Sequence, residues 1–289
     1  MPNAMLTIRQ YLVQAITHLE QADCDTARLD AEVLIGHALG QDRAWLYSNF
    51  NTTLTATQLA EIEPLIQRRT QREPVAYIVG TKEFFGLTFH VEPHVLIPRP
   101  ETELLIETAL TFPKKPNSRL SVVDVGTGSG CIAITLATYL PTATIQAIDL
   151  SEAALDVARR NAHRHHVTDQ VLFRHGDLLT PLDQSVDLIV SNPPYVSQSE
   201  LQHEVSPEVA RYEPRLALDG GGDDGLRVIC RLLEQAKTRL KPSGWLLVEI
   251  GASQGQAVQQ LAQEQFPQAN IELKQDLSRR NRLLVLRRF

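Results

Sequence analysis

Asn192-Pro193-Pro194-Tyr195 concentrates more chemical potential than any other stretch of this chain, because it directly follows the apolar run Val-Asp-Leu-Ile-Val-Ser at 186–191. A stiff polar tetrapeptide in that place stands at the C-terminal end of a buried strand, the edge at which open α/β sheets bind ligands. Two successive prolines fix φ and remove two backbone donors, so neighbouring carbonyls stay free to accept hydrogen bonds. Asn192 adds a side-chain carbonyl and Tyr195 a flat ring. Together they suit a planar group carrying an NH2, either a carboxamide or an amino-substituted base. A plain proline-containing turn is the competing reading.

Upstream, the apolar run 122–125 enters Gly126-Thr127-Gly128-Ser129-Gly130 and then Cys131-Ile132-Ala133-Ile134-Thr135-Leu136-Ala137. That is a strand, a tight turn and a helix, with glycines that let a ligand approach the backbone. Glycines in this spacing are weak evidence alone, since nicotinamide-binding folds use a close relative. The next strand, 144–149, ends in Asp149, at the spacing of roughly 20 residues typical of an acid that grips ribose hydroxyls. The same carboxylate is also placed to cap a helix opening at Ser151-Glu152. A dinucleotide needs a pyrophosphate cradle, normally GxGxxG. Here the third glycine comes one residue early, which fits S-adenosylmethionine, a ligand with ribose and adenine but no phosphate.

These motifs need a scaffold, and length and composition supply one. A chain of 289 residues holds one large domain plus a small one. An apolar share of 43% fills a core, while no uninterrupted apolar stretch approaches the roughly 20 residues of a spanning helix. No signal peptide is expected at Met1-Pro2-Asn3-Ala4-Met5, where Met5 is an alternative start. Cys24, Cys131 and Cys230 are dispersed, which points to reduced thiols in a cytoplasmic protein and to no metal site. A net charge of −6 weighs against gripping bare duplex DNA over a long site.

Residues 1–74 read as amphipathic helices over 6–19, 27–39 and 57–69, with Gly40 as a stop and a capping box at Thr57-Gln58-Leu59-Ala60-Glu61. They carry no chemical site, so partner recognition, domain packing and plain scaffolding all remain open. Residues 75–95 read as a β-hairpin linker punctuated by Gly80 and Gly86. Leu96-Ile97-Pro98-Arg99-Pro100-Glu101-Thr102-Glu103 is extended and turns into a helix capped near Thr102. Across 96–289, strands near 120–125, 144–149, 171–175, 186–191 and 244–250 alternate with helices, a parallel doubly wound α/β pattern. Segments 271–275 and 282–287 are expected to close it as an antiparallel hairpin at one sheet edge. His163, His165 and His166 read as solvated surface, and Glu249 as structural.

Asn192-Pro193-Pro194-Tyr195 after such a glycine turn resembles the amino-group methyltransferases of Rossmann-like, seven-stranded fold. Ile97-Pro98-Arg99-Pro100-Glu101-Thr102-Glu103 narrows the resemblance. So does Tyr212-Glu213-Pro214-Arg215-Leu216-Ala217-Leu218-Asp219-Gly220-Gly221 with Asp223-Asp224-Gly225-Leu226. Both are similar to the bacterial release factor glutamine methyltransferases, the HemK family, over nearly the whole chain. The resemblance implies a substrate-docking domain at 1–74 and an S-adenosylmethionine-dependent catalytic domain at 96–289. It implies methylation of the glutamine N5 in the Gly-Gly-Gln motif of peptide chain release factors, with no stable nucleic-acid or membrane partner.

By the same resemblance Gly126, Thr127, Gly128, Ser129 and Gly130 line the cofactor, Asp149 holds its ribose, and Asp177 and Leu178 flank the adenine. Some members carry a tryptophan after that Asp, and Leu178 offers no such ring. Arg99, Glu101 and Thr102 lie near the methionine end or steady the substrate loop, although Arg99 also suits an ordinary ion pair. Asn192, Pro193, Pro194 and Tyr195 hold the acceptor glutamine. An adenine-N6 DNA or RNA methyltransferase is the alternative, since the tetrapeptide also serves an exocyclic amine, but it calls for a basic target-recognition region. A non-enzymatic module on the same fold is the third class, and the intact motifs speak against it.

Overall fold

The computed structural model describes residues 6–113 and 119–289, so the alternative start at Met5 lies outside the described residues. Two compact units are present, Met1–Thr81 with Ser206–Tyr212, and Lys82–Val205 with Glu213–Phe289.

The first unit is helical: Ile8–Gln21, Ala27–Leu39, Arg43–Ser48, Ala56–Thr70, Val75–Val79 and Pro207–Tyr212. Leu12, Leu19, Leu34, Ile35, Ile62 and Ile66 form its core. Thr7 and Thr55 each close a capping box with the glutamine three residues on, Gln10 and Gln58. The first helix therefore starts at Ile8 rather than residue 6, and the box expected at Thr57 belongs to Thr55. Gly40 ends Ala27–Leu39 in the left-handed conformation expected of a C-terminal stop. Segment 206–212, expected within the catalytic domain, packs here because Glu208 accepts from Arg69 (3.1 Å) and Arg72 (2.8 Å). Burial pushes that carboxyl up, but the two guanidiniums prevail and hold it down at about 2.

The stretch expected as a hairpin from residue 75 begins instead as the helical turn Val75–Val79, set between Pro74 and a left-handed Gly80. The hairpin proper is β1 (Thr81–Phe84) paired with β2 (Leu87–His90). Thr102 ends the short 3-10 turn Pro100–Thr102 before helix Glu103–Leu110, and its side chain caps nothing.

The second unit is built on β3 (Ser121–Val125), β4 (Thr144–Asp149), β5 (Val171–His175), β6 (Val186–Ser191), β7 (Leu240–Glu249), β8 (Asn270–Gln275) and β9 (Asn281–Arg287). Their order across the sheet is β5-β4-β3-β6-β7-β9-β8. The first five in that order run parallel, and β9 joins β7 and β8 antiparallel. This is a seven-stranded Rossmann-like sheet, and helices such as Cys131–Tyr139 and Arg227–Arg239 bury its two faces as separate apolar clusters. The chain runs outward from β3 through β5 and then returns to β6 beside β3. The topological switch point, where such sheets bind ligands, therefore lies between β3 and β6. No helix among the described residues is long and apolar enough to cross a membrane.

Candidate active site

Strand register assembles the site. Val125 pairs with Ile148 on one side and Ser191 on the other, and Ser191 pairs with Val248. The residues that follow, Gly126, Asp149, Asn192 and Glu249, therefore share one edge of the sheet. A cavity of about 270 Å³ opens there. Gly126, Thr127, Gly128, Ser129, Asp149, Asp177, Leu178, Asn192, Pro194 and Arg99 line it, while Gly130, Pro193, Tyr195 and Glu101 lie outside its lining.

Three glycines in the turn do different work. Gly126 and Thr127 donate their N–H groups to the Ile148 carbonyl at 2.8 and 3.0 Å, folding the turn over β4. Gly128, at φ 55°, has nothing within 4 Å of where a Cβ would stand, so its backbone is open to the cavity. A Cβ on Gly130 would come to 2.7 Å of Ile134 Cδ1, which makes this third glycine a helix-packing residue. Beneath the turn, buried Asp124 accepts from Thr127 Oγ1 (2.6 Å) and the Ala133 N–H (3.1 Å). Burial pushes its carboxyl up to about 7. Burial likewise pushes the Cys131 thiol up to about 12, so it is no nucleophile. Asn161, fully buried, donates to the Ser129 carbonyl (2.8 Å) and accepts from the His90 N–H (2.7 Å), tying turn and hairpin together.

Asp149 accepts from the Gly128 N–H (2.8 Å) and the Ser151 N–H (2.9 Å). The capping of helix Glu152–Arg164 falls to Ser151, whose hydroxyl accepts from the Ala154 N–H. Burial raises the Asp149 carboxyl against those backbone bonds. Asp177 is ion-paired with Arg231. Leu178 is half-buried with a left-handed backbone (φ 51°), a strained state for a branched residue. Arg99 pairs with Glu213, the ordinary ion pair left open by the sequence, while Glu101 is exposed. His165 is no free surface group: its Nε2 lies 2.9 Å from the Thr88 carbonyl and its ring 5.0 Å from Phe89.

Asn192 is held through its side chain. Its Nδ2 donates to Thr102 Oγ1 at 3.1 Å, and the Thr102 hydroxyl donates to Glu249 Oε2 at 2.7 Å. The Tyr195 hydroxyl donates to the other oxygen of Glu249 at 3.3 Å. Burial pushes the Glu249 carboxyl up to about 7, opposed by the Thr102 bond and the Arg282 charge. The backbone after the prolines pairs with the glycine-rich loop: the Val196 N–H donates to the Leu218 carbonyl and the Gly220 N–H to the Val196 carbonyl. Gln254 donates to the carbonyls of both Tyr195 and Asp224 at 2.8 Å.

The chain is similar to known proteins. The family described as PrmC N-terminal domain matches residues 10–80, and the one described as methyltransferase small domain matches residues 100–223. A release factor glutamine methyltransferase of Geobacter sulfurreducens is 45% identical over 253 residues, 87% of each chain. One from Moorella thermoacetica is 40% identical over 281 residues, 97% of this chain and 98% of its own. The chain belongs to the release factor glutamine methyltransferase family. It is accordingly an S-adenosylmethionine-dependent methyltransferase. A solved methyltransferase from Pyrococcus furiosus, 17% identical, aligns with a TM-score of 0.54 over 76% of this chain and 98% of its own, a likeness of fold.

In this methyltransferase Glu249, expected as structural, and Asn161, Asp124 and Gln254, which no motif marks, hold the site together. Glu249 did carry a signal: an acid directly after the apolar run 245–248 is a charge headed for burial and in need of partners.

Proposed function

We propose that this chain transfers a methyl group from S-adenosylmethionine to the side-chain amide nitrogen, N5, of the glutamine in the Gly-Gly-Gln motif of peptide chain release factors. One observation carries the reading. Asn192 is held by its Nδ2, so Oδ1, which has no hydrogen-bond partner among the described residues, is left as an acceptor at the cavity beside the glycine turn. The backbone cradle at Gly128 and the lone pairs Asp149 retains after two backbone bonds fit the cofactor. On this reading Gly126 to Ser129 line it, Asp149 takes the ribose, and Asp177 and Leu178 flank the adenine.

An amide nitrogen is a poor nucleophile because its lone pair is delocalised into the carbonyl. On this reading Asn192 Oδ1 accepts one N–H at the cavity and the carbonyl of Pro193, which lies outside the lining described above, accepts the other, so the nitrogen gains electron density and a fixed direction. S-adenosylmethionine, when bound, would supply an activated sulfonium methyl to that nitrogen, with the thioether as the leaving group. The residues then contribute placement, which supplies up to roughly 7–11 kcal/mol in model systems. The methylated nitrogen is strongly acidic and releases its proton to water, so no dedicated base is required.

Residues 1–74 are the natural docking unit for the folded factor, so a short Gly-Gly-Gln peptide should react far more slowly than the whole protein. The test is mass spectrometry of a release factor incubated with enzyme and cofactor, beside its Gln→Ala variant at that tip and adenine-containing DNA. One added methyl confined to the glutamine is expected. Methylated DNA, or undiminished methylation of the Gln→Ala protein, would overturn the reading.

A further inference from the structure

A carboxamide side chain is nearly symmetric in shape, so Asn192 fits its place with either oxygen or nitrogen toward the cavity, and only its hydrogen-bond partner decides. That partner, the Thr102 hydroxyl, has one hydrogen to give. An ionised Glu249 accepts and cannot donate. The Thr102 hydrogen therefore goes to Glu249 Oε2 at 2.7 Å, and the lone pair left on Oγ1 takes the Asn192 NH2 at 3.1 Å. Thr102 and Glu249 are each only 2% exposed, so water does not substitute for either. The same carboxylate receives the Tyr195 hydroxyl and so anchors both ends of the tetrapeptide.

We propose that Glu249 and Thr102 are positioning residues that fix the orientation of the Asn192 amide, holding Oδ1 toward the acceptor nitrogen. The inference rests on the reading that Asn192 holds the acceptor amide. Protonated Glu249 can donate to Thr102, whose hydrogen is then free for Asn192 Oδ1, and the amide reverses. Glu249 receives the Tyr195 hydroxyl and lies within the electrostatic reach of the Arg282 guanidinium, the Glu101 carboxylate and the Cys131 thiol, and its burial pushes its carboxyl up to about 7. Turnover should accordingly rise with pH through that value.

The test uses the full-length enzyme with Thr102→Val, Thr102→Ser and Glu249→Gln. It measures kcat and KM for the release factor, cofactor affinity by calorimetry, and the Asn192 side-chain amide resonances across pH. Thr102→Val and Glu249→Gln should lower kcat about tenfold or more, with KM for the cofactor and its affinity little changed. Thr102→Ser, which keeps the hydroxyl, should restore most of the loss. In the parent enzyme the Asn192 resonances should shift as Glu249 titrates, and in Glu249→Gln they should stay fixed. Parental kcat in Thr102→Val, or Asn192 resonances indifferent to pH in the parent, overturns the inference. Failure of the parent enzyme to methylate the release factor refutes the substrate reading instead, and the resonances then decide the orientation relay alone.

Discussion

Gly225→Ala should disable turnover without touching the cofactor site. Gly225 has φ +70°, and a Cβ there would overlap the Tyr195 carbonyl oxygen and come to 3.0 Å of both the Tyr195 carbonyl carbon and the Ser197 nitrogen. Carbon contacts relax at 3.5–4.0 Å, so the Tyr195 backbone has to move by about 1 Å. It cannot swing freely, because Gln254 Nε2 donates to that carbonyl at 2.8 Å. Left-handed backbone costs a further 1–2 kcal/mol, roughly, in an L-residue. A displacement of about 1 Å at a positioning element costs on the order of 10²-fold in rate. Gly222→Ala is the matched control: its φ is +77°, but its Cβ would meet only flexible side-chain tips, Asp224 Oδ1 at 3.3 Å and Arg227 Nη2 at 4.0 Å. Both variants should lose stability in thermal melts, and both should bind S-adenosylmethionine normally by calorimetry. Only Gly225→Ala should lose about 10²-fold in kcat. Equal losses of kcat in the two would assign the effect to backbone strain, and parental kcat in Gly225→Ala would refute the dependence on Tyr195.

Asn192→Ala should leave cofactor affinity largely intact and cut kcat by about 10²-fold or more, because one of two oriented acceptors is lost; near-parental turnover with the fold intact, measured by steady-state kinetics and circular dichroism, would remove Asn192 from the acceptor site. Asp149→Ala should weaken S-adenosylmethionine by roughly 1.5–3 kcal/mol, as for a lost charged hydrogen bond, and unchanged calorimetric affinity would reduce Asp149 to a support for Gly128 and Ser151. Glu249 is raised from the ordinary 4.5 to about 7, so the folded protein holds this proton more tightly than the unfolded chain. The resulting stability is present below 4.5 and lost as pH rises to about 7. Glu249→Gln, which mimics the protonated state, should therefore gain in Tm relative to the parent across that window, and a Tm difference independent of pH would contradict the raised value. The comparison between variants matters because Asp124 is also pushed up to about 7.

The strands were legible where short segments rich in apolar residues stand between turns and helices: 144–149, 171–175 and 186–191 coincide with β4, β5 and β6. The sequence suggests β7 only from 244, because Lys241-Pro242-Ser243-Gly244 looks like a break. It is an irregularity within the strand instead, with Ser243 at φ 61° and the register shifting between Val186 and Leu188 opposite. The turn 75–79 misled for the opposite reason. Val, Tyr and Ile favour strand locally, and only the flanking Pro74 and the left-handed Gly80 close it as a helix. The placement of 206–212 depends on Glu208 meeting arginines 136 and 139 residues away, and no local pattern encodes such a pairing.

At the site, sequence exposed what touches the cavity and hid what holds it. Gly128, Asp149 and Asn192 are visible because each ends, directly follows or lies just beyond an apolar strand, and register then aligns the strand ends. Of the segments that narrowed the family, 97–103 and 212–226, the resemblance places Arg99, Glu101 and Thr102 near the methionine end or the substrate loop. In the structure several of their members act on the tetrapeptide instead. Thr102 takes the Asn192 NH2, and Gly220 and Gly225 leave room for the Tyr195 backbone where any Cβ would collide. Arg99 reaches across to Glu213, so the two segments also fasten to each other. A short planar slot has little adjustment of its own. Its accuracy has to come from neighbours, and this explains why a four-residue motif is accompanied by much longer stretches of specific sequence. The same logic marks Glu249, which no spacing rule finds, as the buried charge on which the orientation of the slot depends.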